Sequence, residues 1–258
     1  MKGDPAEILA DAVRARLEPG APFLVALDYD GTLTEIVDDP ADPALDAGRR
    51  GVLERVSAPN RRLAIVSGRA LDDIRDRIGI EDAIYVGNHG LEIAGGGLAE
   101  RLAVPGLEAR LSALLESLGE DGWSMVENKA LTATLHVRPR ADPARHAALG
   151  DAIRGAVEAA GFDLRGGKDT WEIRPAGAAT KGDAIRRLIA ALPGVSPART
   201  VYIGDDATDE DAFQALGEGI TARVGPVEIA TAARYRLPDP AAVYRFLDAL
   251  IAGIPPGR

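Results

Sequence analysis

Five short, mostly apolar runs, each stopping at a glycine, a serine or an acid, constrain this chain more than any other feature. They are residues 23–27 (FLVAL) before Asp28, 63–66 (LAIV) before Ser67, 83–86 (AIYV) before Gly87, 200–203 (TVYI) before Gly204, and 219–224 (GITARV) before Gly225. Runs this short and this apolar fit strands buried on both faces, as in a parallel sheet. Amphipathic segments alternate with them at 5–17, 45–56, 71–78, 181–191, 209–216 and 241–251. Strand–helix alternation predicts an α/β fold, an open and mostly parallel sheet with helices on both faces. Such sheets bind ligands beyond the carboxyl ends of their strands. The polar residues that close the runs therefore converge on one edge.

The middle of the chain reads differently. Helix 107–118, strands 123–127 and 131–138, helix 143–159 and strand 170–174 predict a small α+β unit with an antiparallel sheet. It is expected at 104–174, inserted into a larger domain made of 1–103 and 175–258. Gly95-Gly96-Gly97 forms the tip of a hairpin or a loop.

Composition removes several functions. Forty acids against 30 bases give a net charge of −10, unsuited to general nucleic-acid binding. With no cysteine, disulfide scaffolds, thiolate catalysis, zinc fingers and iron–sulfur clusters are excluded. No apolar run approaches the roughly 18 residues of a membrane span, and the charged amino terminus has no signal-peptide core. A cytoplasmic monomer without membrane or nucleic-acid partners is expected. Four lysines stand beside 26 arginines. Under that bias, a lysine that persists marks a place where arginine does not serve.

Four clusters carry chemistry. Asp28-Tyr29-Asp30-Gly31-Thr32 places two carboxylates at a strand end, where a hard divalent cation would offset their repulsion; the alternative is a plain turn. Ser67, at the end of the next strand, offers a hydroxyl to a phosphoryl oxygen or caps the following helix. Lys181 begins a helix, against the macrodipole, and is either a site cation or a surface charge. Gly204-Asp205-Asp206-Ala207-Thr208-Asp209-Glu210-Asp211 packs five acids into seven positions, more than helix capping explains. Asp211 and Glu210 are expected only to favour the helix start.

In this order, DxDGT, Ser, Lys and GDDxTDED resemble the haloacid dehalogenase superfamily of phosphotransferases. The insertion resembles the α/β cap of its sugar-phosphatase branch. Four stretches are similar to trehalose-6-phosphate phosphatases: 28–40 (DYDGTLTEIVDDP); 87–92 (GNHGLE); Glu127-Asn128-Lys129 with His136 and Arg138; and Lys168 with 171–175 (WEIRP). One departure is Ala70, where that family would place proline.

The resemblance implies a Mg²⁺-dependent phosphatase that hydrolyses trehalose 6-phosphate to trehalose and phosphate. Asp28 would attack phosphorus and form an aspartyl-phosphate. Asp30 would protonate the leaving oxygen and then deprotonate water, in surroundings that keep a proton on it. Mg²⁺ would be held by Asp28, the Asp30 carbonyl and Asp205, with Asp206 or Asp209 farther out. Ser67 and Lys181 would hold phosphoryl oxygens. Substrate contacts are expected at Gly31, Thr32, Gly68, Arg69, Asn88, His89 and Gly90, and in the cap at Glu127, Lys129, Arg138 and Glu172.

Glu127 and Lys129 share a strand face and read sugar hydroxyls or form a solvated ion pair. Trp171 is expected to pack inside the cap, and His146 to lie on the surface. Other expectations compatible with the same motifs are a phosphatase for sucrose 6-phosphate or mannosyl-3-phosphoglycerate, or a non-catalytic sugar-phosphate binder.

Overall fold

The computed structural model describes residues 3–18, 20–35, 45–58, 60–101, 104–119, 123–137, 143–167 and 170–253. In chain order the helices are α1 (Pro5–Arg14), α2 (Ala47–Val56), α3 (Leu71–Ile78), α4 (Leu107–Leu118), α5 (Pro143–Ala159), α6 (Lys181–Ala191), α7 (Asp209–Leu216) and α8 (Pro240–Ala252). The strands are β1 (Phe23–Leu27), β2 (Arg61–Val66), β3 (Ile84–Gly87), β4 (Glu92–Gly95), β5 (Leu98–Arg101), β6 (Trp123–Asn128), β7 (Ala133–Val137), β8 (Phe162–Gly167), β9 (Thr170–Pro175), β10 (Thr200–Gly204), β11 (Ile220–Val224) and β12 (Tyr235–Leu237). Two compact units result: Met1–Arg101 with Ala179–Arg258, and Leu102–Ala178. No helix among the described residues is long and apolar enough to cross a membrane.

The larger unit holds an eight-stranded sheet in the order β12-β11-β10-β1-β2-β3-β4-β5. Pairing is parallel from β12 to β3; β4 and β5 join antiparallel. β1 is buried throughout because both faces are covered. Phe23, Val25 and Leu27 pack with α1, α2, α3 and α8, while Leu24 and Ala26 pack with α6 and α7. Each of the four larger side chains, Phe23, Leu24, Val25 and Leu27, contributes about 1.5–3 kcal/mol on burial.

From β1 the chain winds through β2 and β3 on one side and through β10 and β11 on the other. That reversal creates a crevice beyond the carboxyl ends of β1 and β10. Local chemistry sets where the flanking helices start. Asp4 accepts the Ala6 N–H at 3.0 Å before Pro5, and Asp239 accepts the Ala242 N–H at 2.7 Å before Pro240. Thr180 and Asp183 form a reciprocal capping box that fixes the start of α6, and with it Lys181.

The smaller unit is a four-stranded antiparallel sheet, β6-β7-β9-β8. α5 packs directly on Trp171, where a side chain on Gly150 would collide with the indole. Leu135 lies opposite Trp171 and shares that face. Glu127, Thr134, Glu172 and Arg165 line up across the four strands on the other face.

Several elements differ from the sequence expectation. α1 stops at Arg14 rather than at 17. β8 and β12 were not expected. β8 is an edge strand of six residues that includes only two large apolar ones, and β12 has three residues. Gly96 and Gly97, both at positive φ, turn the β4–β5 hairpin. The units divide at 102 and 178, whereas the sequence boundaries were 104 and 174; residue 174 lies within β9. His146 is not a plain surface residue. Its ring stacks on Trp171 at 4.8 Å, and the indole N–H donates to its carbonyl at 3.2 Å.

Candidate active site

Asp28 continues β1 by one hydrogen bond, its N–H donating to the Ile203 carbonyl at 2.9 Å, and its side chain is buried. The main chain then turns at Gly31, whose φ is +79°. A side chain there would overlap the Asp205 carboxylate. Thr32, fully buried, donates to Asp205 Oδ1 at 3.3 Å. Asp28 and Asp205 are thus brought together by adjacent loops.

Lys181 enters from the first turn of α6, 2% exposed. Its Nζ lies 2.9 Å from Asp28 Oδ1, 2.8 Å from Asp209 Oδ1 and 3.9 Å from Asp206 Oδ1. Asp209 is fully committed to the protein. Oδ1 accepts from Lys181 and from the Tyr202 hydroxyl at 2.5 Å, and Oδ2 accepts from the N–H groups of Asp205 and Asp206 at 3.0 Å. Asp206 turns back on its own loop and accepts from Thr208 and the Asp209 N–H.

Three carboxylates therefore share one ammonium, with the Asp205 carboxylate close by. Burial pushes Asp28 well above the usual carboxylate range; Lys181 opposes this, and the neighbouring acids add to it. Burial, then Asp206, lifts Asp205 to about 6. Burial lifts Asp209 to about 7 against the pull of Lys181. Asp206 alone is held below its usual range: burial works against ionisation there, but Lys181 and hydrogen bonds from Asp209 and Thr208 prevail. Burial disfavours the Lys181 charge, yet Asp209 and Asp28 hold the ammonium well above its ordinary value.

This surplus of negative charge fits a divalent cation. Asp28, Asp205 and Asp209 each offer a carboxylate oxygen within 4.8 Å of the others, an all-oxygen set suited to a hard ion. The hydrogen bonds divide the three. Asp209 accepts four donors, whereas among the described residues Asp205 meets only Thr32, by a long bond, and the Asp28 carboxyl.

Asp30 is gripped by Arg69, whose Nε and Nη2 reach its two oxygens at 2.8 and 2.7 Å. Arg69 also binds Asp73 at 3.1 Å and lies over the Tyr29 ring. The Asp30 side chain is thus held by a guanidinium, and it is 47% exposed.

Ser67, 1% exposed, accepts the Arg69 N–H at 3.1 Å, a cap-like bond within its turn. A side chain on Gly68 would strike the His89 ring. Asn88 and His89 both hold positive φ, and Asn88 donates to Glu92 Oε2 at 2.7 Å. Gly90, at φ +110°, packs on the Thr180 carbonyl and so beside the start of α6.

In the smaller unit, Glu127 Oε2 lies 3.8 Å from Lys129 Nζ and 3.6 Å from His136 Nε2. Glu172 sits on the same face, across Thr134. Arg138 and Lys168 lie outside the described residues.

Sequence reading missed Tyr202, taken only as part of an apolar run. A hydroxyl in a fully buried strand needs a partner, which was the available signal. Glu210, expected as a helix-start acid, does lie in the first turn of α7, and it also binds Arg223 at 3.0 Å and Thr231 at 2.6 Å.

An open parallel sheet whose switch-point loops gather a DxDGT turn, one lysine and an acidic loop defines the haloacid-dehalogenase-like class. Within it, this chain belongs to the trehalose-phosphatase family, whose model matches residues 26–241. It is 37% identical to the trehalose-phosphate phosphatase of Mycobacterium marinum over 88% of this chain, and spans 60% of that protein's length. It is 34% identical to trehalose-phosphate phosphatase B of Arabidopsis thaliana over 90% of this chain and 67% of that one. The C-terminal domain of the C. albicans trehalose-6-phosphate phosphatase has the same fold, with a TM-score of 0.79 at 24% identity over 96% of this chain and 97% of that one.

Proposed function

We propose that the protein hydrolyses trehalose 6-phosphate to trehalose and inorganic phosphate. The observation that carries this reading is Lys181 bound to Asp28 beside Asp205, in a chain of the trehalose-phosphatase family. Asp28 is the nucleophile. Its carboxylate oxygen bonds to phosphorus as the bond to the sugar oxygen breaks, leaving an aspartyl-phosphate. Asp30, once Arg69 frees one of its oxygens, gives a proton to the departing sugar oxygen. It then takes a proton from the water that splits the aspartyl-phosphate, and Asp28 is regenerated.

Lys181 donates to a phosphoryl oxygen throughout, and Ser67 donates to another. Asp28, Asp205 and the Asp30 main-chain carbonyl would hold Mg²⁺, with Asp206 and Asp209 farther out. An ion bound there would supply positive charge between the carboxylate and the incoming phosphate. Gly31, Thr32, Gly68, Arg69, Asn88, His89 and Gly90 shape the phosphate end. In the smaller unit, Glu127, Lys129, Arg138 and Glu172 bind the sugar hydroxyls, and carboxylates suit that task because they accept paired hydrogen bonds. The protein acts as a cytoplasmic monomer.

The test is phosphate release, with Mg²⁺ and with chelator, from trehalose 6-phosphate, sucrose 6-phosphate, glucose 6-phosphate and mannosyl-3-phosphoglycerate. Strong preference for trehalose 6-phosphate, abolished by chelator and by Asp28→Asn, is expected. Preference for another substrate would overturn the sugar assignment, and no release from any would overturn the enzymatic one.

A further inference from the structure

β11 carries a buried cation outside the Asp28–Lys181 cluster. Arg223 pairs in register with Gly204, one residue before Asp205, and is 6% exposed. Its Nη1 donates to the Asp206 carbonyl at 3.2 Å and to Glu210 Oε1 at 3.0 Å. Glu210 also accepts from the Thr231 hydroxyl at 2.6 Å and the Ala232 N–H at 2.8 Å. One chain of bonds therefore ties the acidic loop after β10, the first turn of α7 and the segment between β11 and β12. Burying a guanidinium in a strand is costly, and an apolar side chain of similar volume would serve packing better. Its Nε is buried with no hydrogen-bond partner among the described residues, so part of that cost is left uncompensated.

What Arg223 contacts accounts for its retention. It holds the acidic loop by a main-chain carbonyl, not by the carboxylates of Asp205 or Asp206. It also brings a second positive charge close to a loop that carries three acids near Asp28. The loop is thereby fixed in shape without a bond from Arg223 to the Asp205 carboxylate.

We infer that Arg223 is a positioning residue for cation binding: it fixes the 205–210 segment so that Asp205 stands ready for a divalent ion. This rests on the reading of Asp28 and Asp205 as metal ligands.

Titration calorimetry of Mg²⁺ into the metal-free full chain tests it, with wild type, Arg223→Met, Arg223→Lys and Glu210→Gln, each first checked for fold by circular dichroism. Outer residues that orient metal ligands typically govern about 10–100-fold in affinity. Arg223→Met is expected to weaken Mg²⁺ binding about tenfold or more. Arg223→Lys, which keeps the charge but not both bonds, should fall between it and wild type, and Glu210→Gln should also weaken binding. Half-maximal phosphate release should need correspondingly more Mg²⁺, with KM for trehalose 6-phosphate unchanged at saturating Mg²⁺. Wild-type Mg²⁺ affinity in every variant that folds would overturn the inference while leaving the metal site intact. Failure of the wild type itself to bind Mg²⁺ would overturn the metal reading and this inference with it.

Discussion

The Lys181 ammonium lies 2.9 Å from the Asp28 carboxylate, a partner 153 positions away in the chain, and both side chains are buried. Removing one member of such a pair leaves the other charge stranded, at a cost of about 3–5 kcal/mol. Lys181→Met is therefore expected to destabilise the protein by that order at pH 7.5. The loss should be smaller at pH 5.5, where the aspartates take up protons. Phosphate release should fall by at least about 10²–10³-fold, the usual effect of losing one preorganised donor. Denaturant melts at the two pH values, with steady-state rates, check this. Equal destabilisation at both would contradict the coupling.

The same cluster sets a pH dependence for the metal-free protein. Asp205 at about 6, Asp209 at about 7 and Asp28 are all raised in the folded state, with burial the leading cause. Groups raised on folding contribute stability that is present below their unfolded values and lost as pH rises through the folded ones. In chelator, Tm should fall between about pH 5 and pH 8. Asp206 has the opposite sign, but its window lies below the ordinary carboxylate range and outside this test. Saturating Mg²⁺ should flatten the profile, because it binds the deprotonated carboxylates. A metal-free Tm that rises across this interval would be incompatible with the cluster as described.

Asp205 and Asp209 should respond oppositely to the same substitution. Asp209→Asn turns an amide N–H₂ toward groups that are themselves donors, and each unmet partner costs about 1–3 kcal/mol. It should lower Tm even in chelator. Asp205→Asn removes a half-buried charge that sits against the Asp28 carboxyl with one long bond from Thr32, and should leave the metal-free Tm equal or higher, while weakening Mg²⁺ binding. Thermal melts with and without Mg²⁺ distinguish the two. A lower metal-free Tm for Asp205→Asn would remove the distinction drawn from their hydrogen bonds.

Much of this fold was legible because buried parallel strands announce themselves as short apolar runs, and residues 23–27 and 200–203 did so. The site was legible where residue types repel one another without a reason to be adjacent, as in Asp28 with Asp30 and in the 205–211 acids. Edge strands gave little signal: β8 mixes Asp163 and Arg165 with two glycines. Long-range partners were not legible at all. Nothing in the sequence around Arg69 names Asp30, and nothing around Arg223 names Asp206, because those contacts arise only when parallel strands set the loops side by side.

Glu127 and Glu172 lie in one cross-strand row with Thr134 between them, on the face of the smaller sheet opposite Trp171. Lys129 and His136 crowd the Glu127 carboxylate at 3.8 and 3.6 Å, which limits its freedom to swing. Carboxylates held in this way suit a disaccharide, whose hydroxyls they would accept from. A hydrogen bond to a charged group contributes about 1.5–3 kcal/mol, or roughly 10–150-fold in kcat/KM. Glu127→Ala and Glu172→Ala should therefore lose kcat/KM for trehalose 6-phosphate by that order, mainly through KM. A small phosphoester without a sugar should be turned over nearly as before, because Asp28, Asp30 and Lys181 are untouched. Steady-state kinetics on the two substrates decide the matter. Equal losses on both would mean that the row supports the smaller unit's structure and reads no sugar.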